Sequence, residues 1–344
     1  MEKEKDGILQ DVILIRFFVV IFLLFCHSFA IHTGSWQLPP NTEIIVAYWW
    51  IGKGVASAML ETFVFISGYI LGLQILKGKF KYNRTFIIKK FNRLIIPSIV
   101  FSILYIIFFY PYTKGSAITL IRNISIAHMW FLPMLFWCFT STLILKWVKV
   151  NIPLFLVLIP VIYISIFSLP FHLSASLKYA FYFYFGLYIF KNNKRILQKF
   201  CNWKSITIIG LLYIGIFIVA ASLLLLNKDI ATRIIPNGTI LKIAQITTKI
   251  IYSTLGIMFF YLTANKILQK AKTIPSWIIN IADLSFSIYI THQFILVAIY
   301  RCDFITSAIN QYLLPWCALI FTAISSIIIS KVLLKTGIGR KLLG

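Results

Sequence analysis

Long apolar runs separated by short, mostly basic connections recur from one end of this chain to the other. Runs of 18 or more apolar residues read as membrane-spanning helices, whereas a membrane β-barrel would show short alternating segments. About ten spans are predicted, over 12–31, 55–76, 94–112, 128–146, 152–169, 175–190, 206–226, 247–265, 278–299 and 313–334. The stretch 44–54, with Tyr48, Trp49 and Trp50, reads as an interfacial lead-in to the second span. The longest non-spanning connections are 77–93 and 227–246. No internal repeat or low-complexity tract interrupts the pattern. The expectation is an all-α, polytopic membrane protein, one domain over 1–344 with its helices around a central cavity and no separate soluble domain.

Composition agrees with that class. Of 344 residues, 60% are hydrophobic and 12% charged, and the mean hydropathy is +0.89. A soluble domain of this length has no place for so much apolar surface. The net charge of +24 falls on alternate connections. One side takes Lys3 and Lys5; Lys77, Lys79, Lys81, Arg84, Lys89, Lys90 and Arg93; Lys146 and Lys149; Lys191, Lys194, Arg195, Lys199 and Lys204; Lys266, Lys270 and Lys272; and Lys331, Lys335, Arg340 and Lys341. The other side takes Lys53, Lys114, Arg122, Lys178, Lys228, Arg233, Lys242, Lys249 and Arg301. By the positive-inside rule both termini are then cytoplasmic. The basic loops read as topology and anionic-lipid contact, with a polyanionic cytosolic ligand as a second use. A nucleic-acid role wants a soluble basic domain, and none is read here. The start MEKEKDG does not resemble a signal peptide. The five cysteines show neither a CxxC pair nor metal-ligand spacing, so no disulfide framework is expected.

Several polar side chains sit inside the apolar runs and need a reason, since a charge near a bilayer centre costs at least about 2.5–3.5 kcal/mol. Arg16 and His27 in the first span are eleven positions apart, which puts them on one helix face about 16 Å apart. His27 is a candidate general base; the plainer reading is a histidine bonded to a backbone carbonyl. Arg16 either serves a site or snorkels to the headgroups. In the ninth span Ser285, Tyr289 and His292 share a face. They either line a pocket or bond across helices. Asp283 is turned about 180° from His292 on an ideal helix, so no direct pair is expected. Glu61 in the second span is a neutral buried carboxyl, a partner of Lys53 or of the outer part of the site, or a group acting as an acid. His128 and Trp130 open the fourth span, as interfacial anchors or as contacts for a polar acceptor. His32 and His172 fall in outer loops and read as solvated. Pro97, near a helix start, implies little alone.

Taken in order, these motifs resemble the membrane-bound acyltransferase-3 family. An Arg followed after ten residues by His is Arg16 and His27. Phe63, Ser67 and Gly68 match a Phe-Phe-x-x-Ser-Gly pattern, with Val64 in place of the second aromatic. Arg93 and Pro97 match Arg-x-x-x-Pro, Trp130-Phe131-Leu132 match Trp-Phe-Leu, and Ser285, Tyr289 and His292 match Ser-x-x-x-Tyr-x-x-His. Lys89-Lys90 stand where many members have arginines, and Glu61 is not part of the pattern. The resemblance spans roughly 8–335. It implies O-acyl transfer from cytosolic acyl-coenzyme A, usually acetyl, to a hydroxyl of a cell-surface or lipid-linked glycan at a bacterial inner (plasma) membrane, with no tightly bound cofactor or metal. Arg16, Arg93 and Lys90 would hold the donor's phosphates, and His27 with Arg16 would serve catalysis. Glu61, His128, Trp130, Ser285, Tyr289 and His292 would meet the substrate, with oxyanion donors from Tyr289, His292 or nearby backbone. The rival readings are a transporter or flippase for a polar or lipid-linked sugar, and a non-catalytic sensor or assembly subunit.

Overall fold

A computed structural model describes residues 2–40, 42–78, 84–109, 116–145, 153–226, 228–271 and 273–343. Lys79, Lys81, Lys114, Lys146, Lys149 and Lys272 lie outside the described residues. Helices account for the regular structure, with no strand among the described residues. They are α1 (Glu2–Ser28), α2 (Val46–Leu76), α3 (Arg84–Phe108), α4 (Ser116–Asn123), a 3-10 turn (Ala127–Trp130), α5 (Phe131–Leu145), α6 (Leu154–Ile164), α7 (Leu173–Lys191), α8 (Asn193–Phe200), α9 (Trp203–Leu225), α10 (Lys228–Ile234), α11 (Gly238–Lys270), α12 (Ser276–Asp283), α13 (Ser285–Tyr300), α14 (Asp303–Ala308), α15 (Leu314–Lys335) and α16 (Gly337–Leu343).

Seven segments are long and apolar enough to cross a membrane: α1 from Gln10, α2, α3, Ala117–Leu145, α9, α11 and α15. The α12–α13 pair makes an eighth if its 68° bend is counted as one broken span. The expected ten are therefore not reached among the described residues. The run predicted at 152–169 forms only the short α6. The run at 175–190 forms α7, which carries Ser, Lys and several Tyr and buries Tyr179, Tyr182 and Tyr184. The lead-in at 44–54 is not separate either, because α2 is helical from Val46.

α1 is the hub, packing against α2, α11, α12, α13 and α15. Leu14, Ile15, Val19, Val20 and Leu23 are all buried, as expected of a helix apolar on every side. Its first acidic contact is one the span prediction missed. Asp11 is 1% exposed, accepts from the Val12 amide at 2.7 Å and takes the Tyr69 hydroxyl at 3.1 Å. Asn193 donates to the same hydroxyl at 3.1 Å and accepts from Tyr261 at 2.5 Å. The network ties α1, α2, α8 and α11 at one end of the bundle. Asp11→Ala leaves the buried Tyr69 hydroxyl without its acceptor, and is expected to cost about 1–3 kcal/mol, read as earlier thermal unfolding in detergent. An unchanged melting midpoint would show that the network is idle.

Two local irregularities aim side chains. Pro97 has no amide hydrogen and cannot continue the α-helical ladder of α3. The chain answers with a π-turn over Phe91–Ile95, closed by the Ile96 amide on the Phe91 carbonyl. Such turns recur at functional positions, and this one carries Arg93. The connection between α4 and α5 is the second. Ile124 and Ala127 take positive φ, 63° and 48°, a costly state for a β-branched residue. Buried serines of α3 hold the strained turn. Ser98 donates to the Ile124 carbonyl at 3.3 Å and Ser102 accepts from the Ile126 amide at 3.1 Å. The turn delivers His128.

Candidate active site

One end of the bundle holds a cavity of about 300 Å³ whose wall includes Arg16 of α1, Lys90 and Arg93 of α3, and Asp283, Ser285 and Tyr289 of α12 and α13. Phe63, Ser67, Leu132 and Leu343 are also among its lining residues. Three cations thus converge from two helices, with Asp283 as the carboxylate among them. The Lys90 ammonium also lies 3.6 Å from the centre of the Phe139 ring, a cation–π contact that fixes the end of a flexible chain. Leu334 and Leu343 belong to α15 and α16, so the cavity sits at the end where the chain finishes.

Eleven residues along α1 from Arg16, three imidazoles meet. The His27 and His292 rings are 4.9 Å apart, and those of His292 and His128 are 5.3 Å apart. His128 donates through Nε2 to the Ile290 carbonyl at 3.0 Å, and His292 through Nδ1 to the Ile288 carbonyl at 3.0 Å. Carbonyls only accept, so each bond fixes a tautomer. His128 Nδ1 and His292 Nε2 remain buried without a partner. His27 is half-buried, while His292 is sealed. Tyr289 spans the two regions: it lines the cation cavity, its ring is 5.5 Å from His128, and its hydroxyl donates to the His128 carbonyl. That proton is committed, so the Tyr289 hydroxyl holds the histidine turn in place. The group is not arranged to hold a metal ion among the described residues.

Beyond the histidines lies a second cavity of about 560 Å³, lined by Trp36, Pro39, Tyr105, Gln293, Tyr300 and Arg301, among others. Trp36 is 5.9 Å from the His27 ring and Tyr105 is 6.3 Å from the His128 ring. The histidine group therefore stands between a basic cavity and an aromatic one. Trp36 and Tyr105 are the members that sequence reasoning missed. They carry no motif, and only the fold brings them to the imidazoles.

Other expectations need correction. Glu61 is fully buried, and its partner is Lys249 of α11 at 2.8 Å, not Lys53. Nearly 190 residues separate the two in sequence, and no local pattern announces the pair. Trp130 lies near His172 and Tyr179, at 6.4 and 5.9 Å. His32 is fully buried and accepts the Ile45 amide at 3.3 Å, and His172 bonds to Ser125 at 2.7 Å, so neither is a freely solvated loop residue. Asp283 and His292 do not pair, but the ideal-helix reason fails, because the chain bends between them at Leu284.

The Ser67-Gly68 pair divides between site and scaffold. Ser67 lines the basic cavity and donates to the Phe63 carbonyl at 3.0 Å. Gly68 faces the other way, where a Cβ would overlap the Phe183 carbonyl of α7. The acyltransferase-3 family model, described as an acyltransferase domain, matches residues 9–335. The chain belongs to the acyltransferase-3 family. Neither a curated protein nor a solved structure is significantly similar to the chain. Membership makes this acyltransferase-3 protein a multi-pass membrane acyltransferase. The match runs from before Arg16 to the end of α15, so the histidine group, the second cavity and every lining residue of the basic cavity except Leu343 lie within it.

Proposed function

We propose that this protein transfers an acyl group, acetyl in the favoured case, from cytosolic acyl-coenzyme A to a hydroxyl of a cell-surface or lipid-linked glycan. The observation that carries the reading is the histidine group between two cavities of opposite character. On the basic side, Arg16, Lys90 and Arg93 offer charge-assisted hydrogen bonds to the donor's phosphates. This is also the end that holds α16 and the basic turn of α3, the side assigned to the cytoplasm by the positive-inside rule. On the far side, Trp36, Tyr105 and Tyr300 offer flat apolar faces beside Gln293 and Arg301, a mixture suited to a sugar.

The chemistry follows from the positions. An extended donor held by its phosphates at Arg16 brings its thioester toward His27. His27 takes the proton of the acceptor hydroxyl as the oxygen attacks the thioester carbonyl. The tetrahedral carbon then expels coenzyme A, whose sulfur receives that proton. The His292 ring, 4.9 Å from that of His27 and anchored through its Nδ1 to the Ile288 carbonyl, packs against His27 and limits how that ring can turn. An oxyanion donor must come from a group other than the Tyr289 hydroxyl, which is committed to the His128 carbonyl.

Calorimetry on the purified full chain with coenzyme A and acetyl-coenzyme A tests the donor half of the reading. Arg16→Ala and Arg93→Gln are each expected to weaken binding by about ten-fold or more, the value of one charge-assisted contact. Equal affinity in wild type and both variants, or no binding at all, would remove coenzyme A from the account. A protein that moves a glycan across vesicles without acyl donor would point to the transporter reading instead.

A further inference from the structure

Four lysines that the proposed reaction does not use line a third cavity, of about 620 Å³, between α2, α7, α9 and α11. Lys53, Lys178, Lys242 and Lys249 all border it, and none of its lining residues lines the Arg16 cavity. Four ammonium groups around one hollow repel one another. Lys249 is within Coulombic reach of both Lys53 and Lys178. The Glu61 carboxylate pairs directly with Lys249 and also lies within Coulombic reach of Lys178. Lys53, Lys178 and Lys242 make no ion pair of their own among the described residues, so a single carboxylate stands against four ammonium groups. Cations that serve topology alone would spread over a solvated rim, where water screens them. Here three of the four are half-buried and converge on a concavity, an arrangement that stays costly until an anion enters it.

We propose that this cavity is a phosphate-binding site. Lysine is a compact point charge that serves phosphate well, and Ser57, Ser174 and Gln245 add neutral hydrogen-bonding groups. Phe217, Leu225 and Ile246 form the apolar part of the wall, which suits a phosphate carried on an amphipathic molecule. A lipid phosphodiester and a water-soluble diphosphate share that chemistry. Cys26, next to His27, is within Coulombic reach of Lys53, Lys249 and Glu61, so the site lies at about the depth of the histidine group. The inference does not depend on the acyl-transfer reading.

The test is titration of inorganic pyrophosphate into the full-length protein, first in neutral phosphatidylcholine nanodiscs and then in discs containing phosphatidylglycerol. Lys249 is left in place because it pairs with Glu61. The variant Lys178→Gln/Lys242→Gln is expected to bind pyrophosphate at least about ten-fold more weakly. Lys178→Arg/Lys242→Arg should retain affinity, and Arg93→Gln, in the other cavity, should leave this component unchanged. Lys242→Gln alone alters an exposed side chain, so it reads the same trend should the double variant fold poorly. Competition by phosphatidylglycerol would identify a lipid headgroup as the source, and persistence of binding in those discs a soluble diphosphate; both support the site. Absence of pyrophosphate binding in neutral discs, affinity indifferent to the glutamine variants, or binding lost through Arg93→Gln alone would overturn it.

Discussion

His27→Ala is expected to lower acyl-transfer turnover by about 10²–10⁴-fold, the usual contribution of a positioned general base, while the affinity for coenzyme A stays unchanged. The separation follows from geometry. His27 lies three helical turns from the Arg16 cavity and is half-buried, and its ring contacts are with Trp36 and His292. Truncation at that position removes a half-buried ring and leaves the lining of the Arg16 cavity unchanged. His292→Ala is the informative contrast. That ring is fully buried and anchored to the Ile288 carbonyl, so its loss should reduce both stability and turnover. Steady-state turnover with a glycan acceptor, read beside calorimetric coenzyme A binding, separates the two. A His27→Ala enzyme with wild-type turnover would require a different base.

Gly68→Ala is expected to have the largest effect on folding. The α2–α7 crossing is built from two reciprocal glycines: a Cβ on Gly68 would meet the Phe183 carbonyl, and a Cβ on Gly186 would meet the Phe65 carbonyl. Close approach of small residues is how helices pair where no water drives them together. The obstructing atoms are backbone, so no side-chain rotation relieves the overlap and the helices must part. Overpacking of this kind costs about 1–3 kcal/mol or more, and separation here would also disturb Ser67 at the basic cavity. Gly215→Ala is the control. Nothing lies within 4 Å of its added Cβ, and alanine is the better helix former by about 0.5–1 kcal/mol. Monodispersity and melting midpoint in detergent should fall for position 68 and hold or rise for position 215. Equal behaviour of the two would mean that the helices do not cross as described.

What the sequence made legible was what short-range pattern encodes. Apolar runs of span length became helices, and the eleven-residue spacing of Arg16 and His27 set one beside a basic cavity and the other beside its companion imidazoles. The i, i+4 spacing of Ser285 and Tyr289 likewise set both on one wall. Hydropathy misled where polar aromatic side chains are buried by neighbours, as in α7, and where a run is too short to span, as in α6. Pairings between distant segments left no local mark. Lys249 meets Glu61, Trp36 meets His27 and Asp11 meets Tyr69 only because α1, α2 and α11 pack together. The break at Leu284 was equally hidden, since it follows neither glycine nor proline.

The π-turn before Pro97 carries a consequence for how such a donor site can diversify. Inserting one residue into a helical turn rotates everything beyond it by roughly 100° about the axis. Arg93 lies inside that insertion, and Lys90 just ahead of it, so their azimuth relative to the remainder of α3 is set by a single residue of slack. A one-residue deletion there would swing the guanidinium out of register with Arg16 without altering any side chain's identity, which makes backbone phase, as much as amino-acid choice, a variable through which the donor pocket can be retuned.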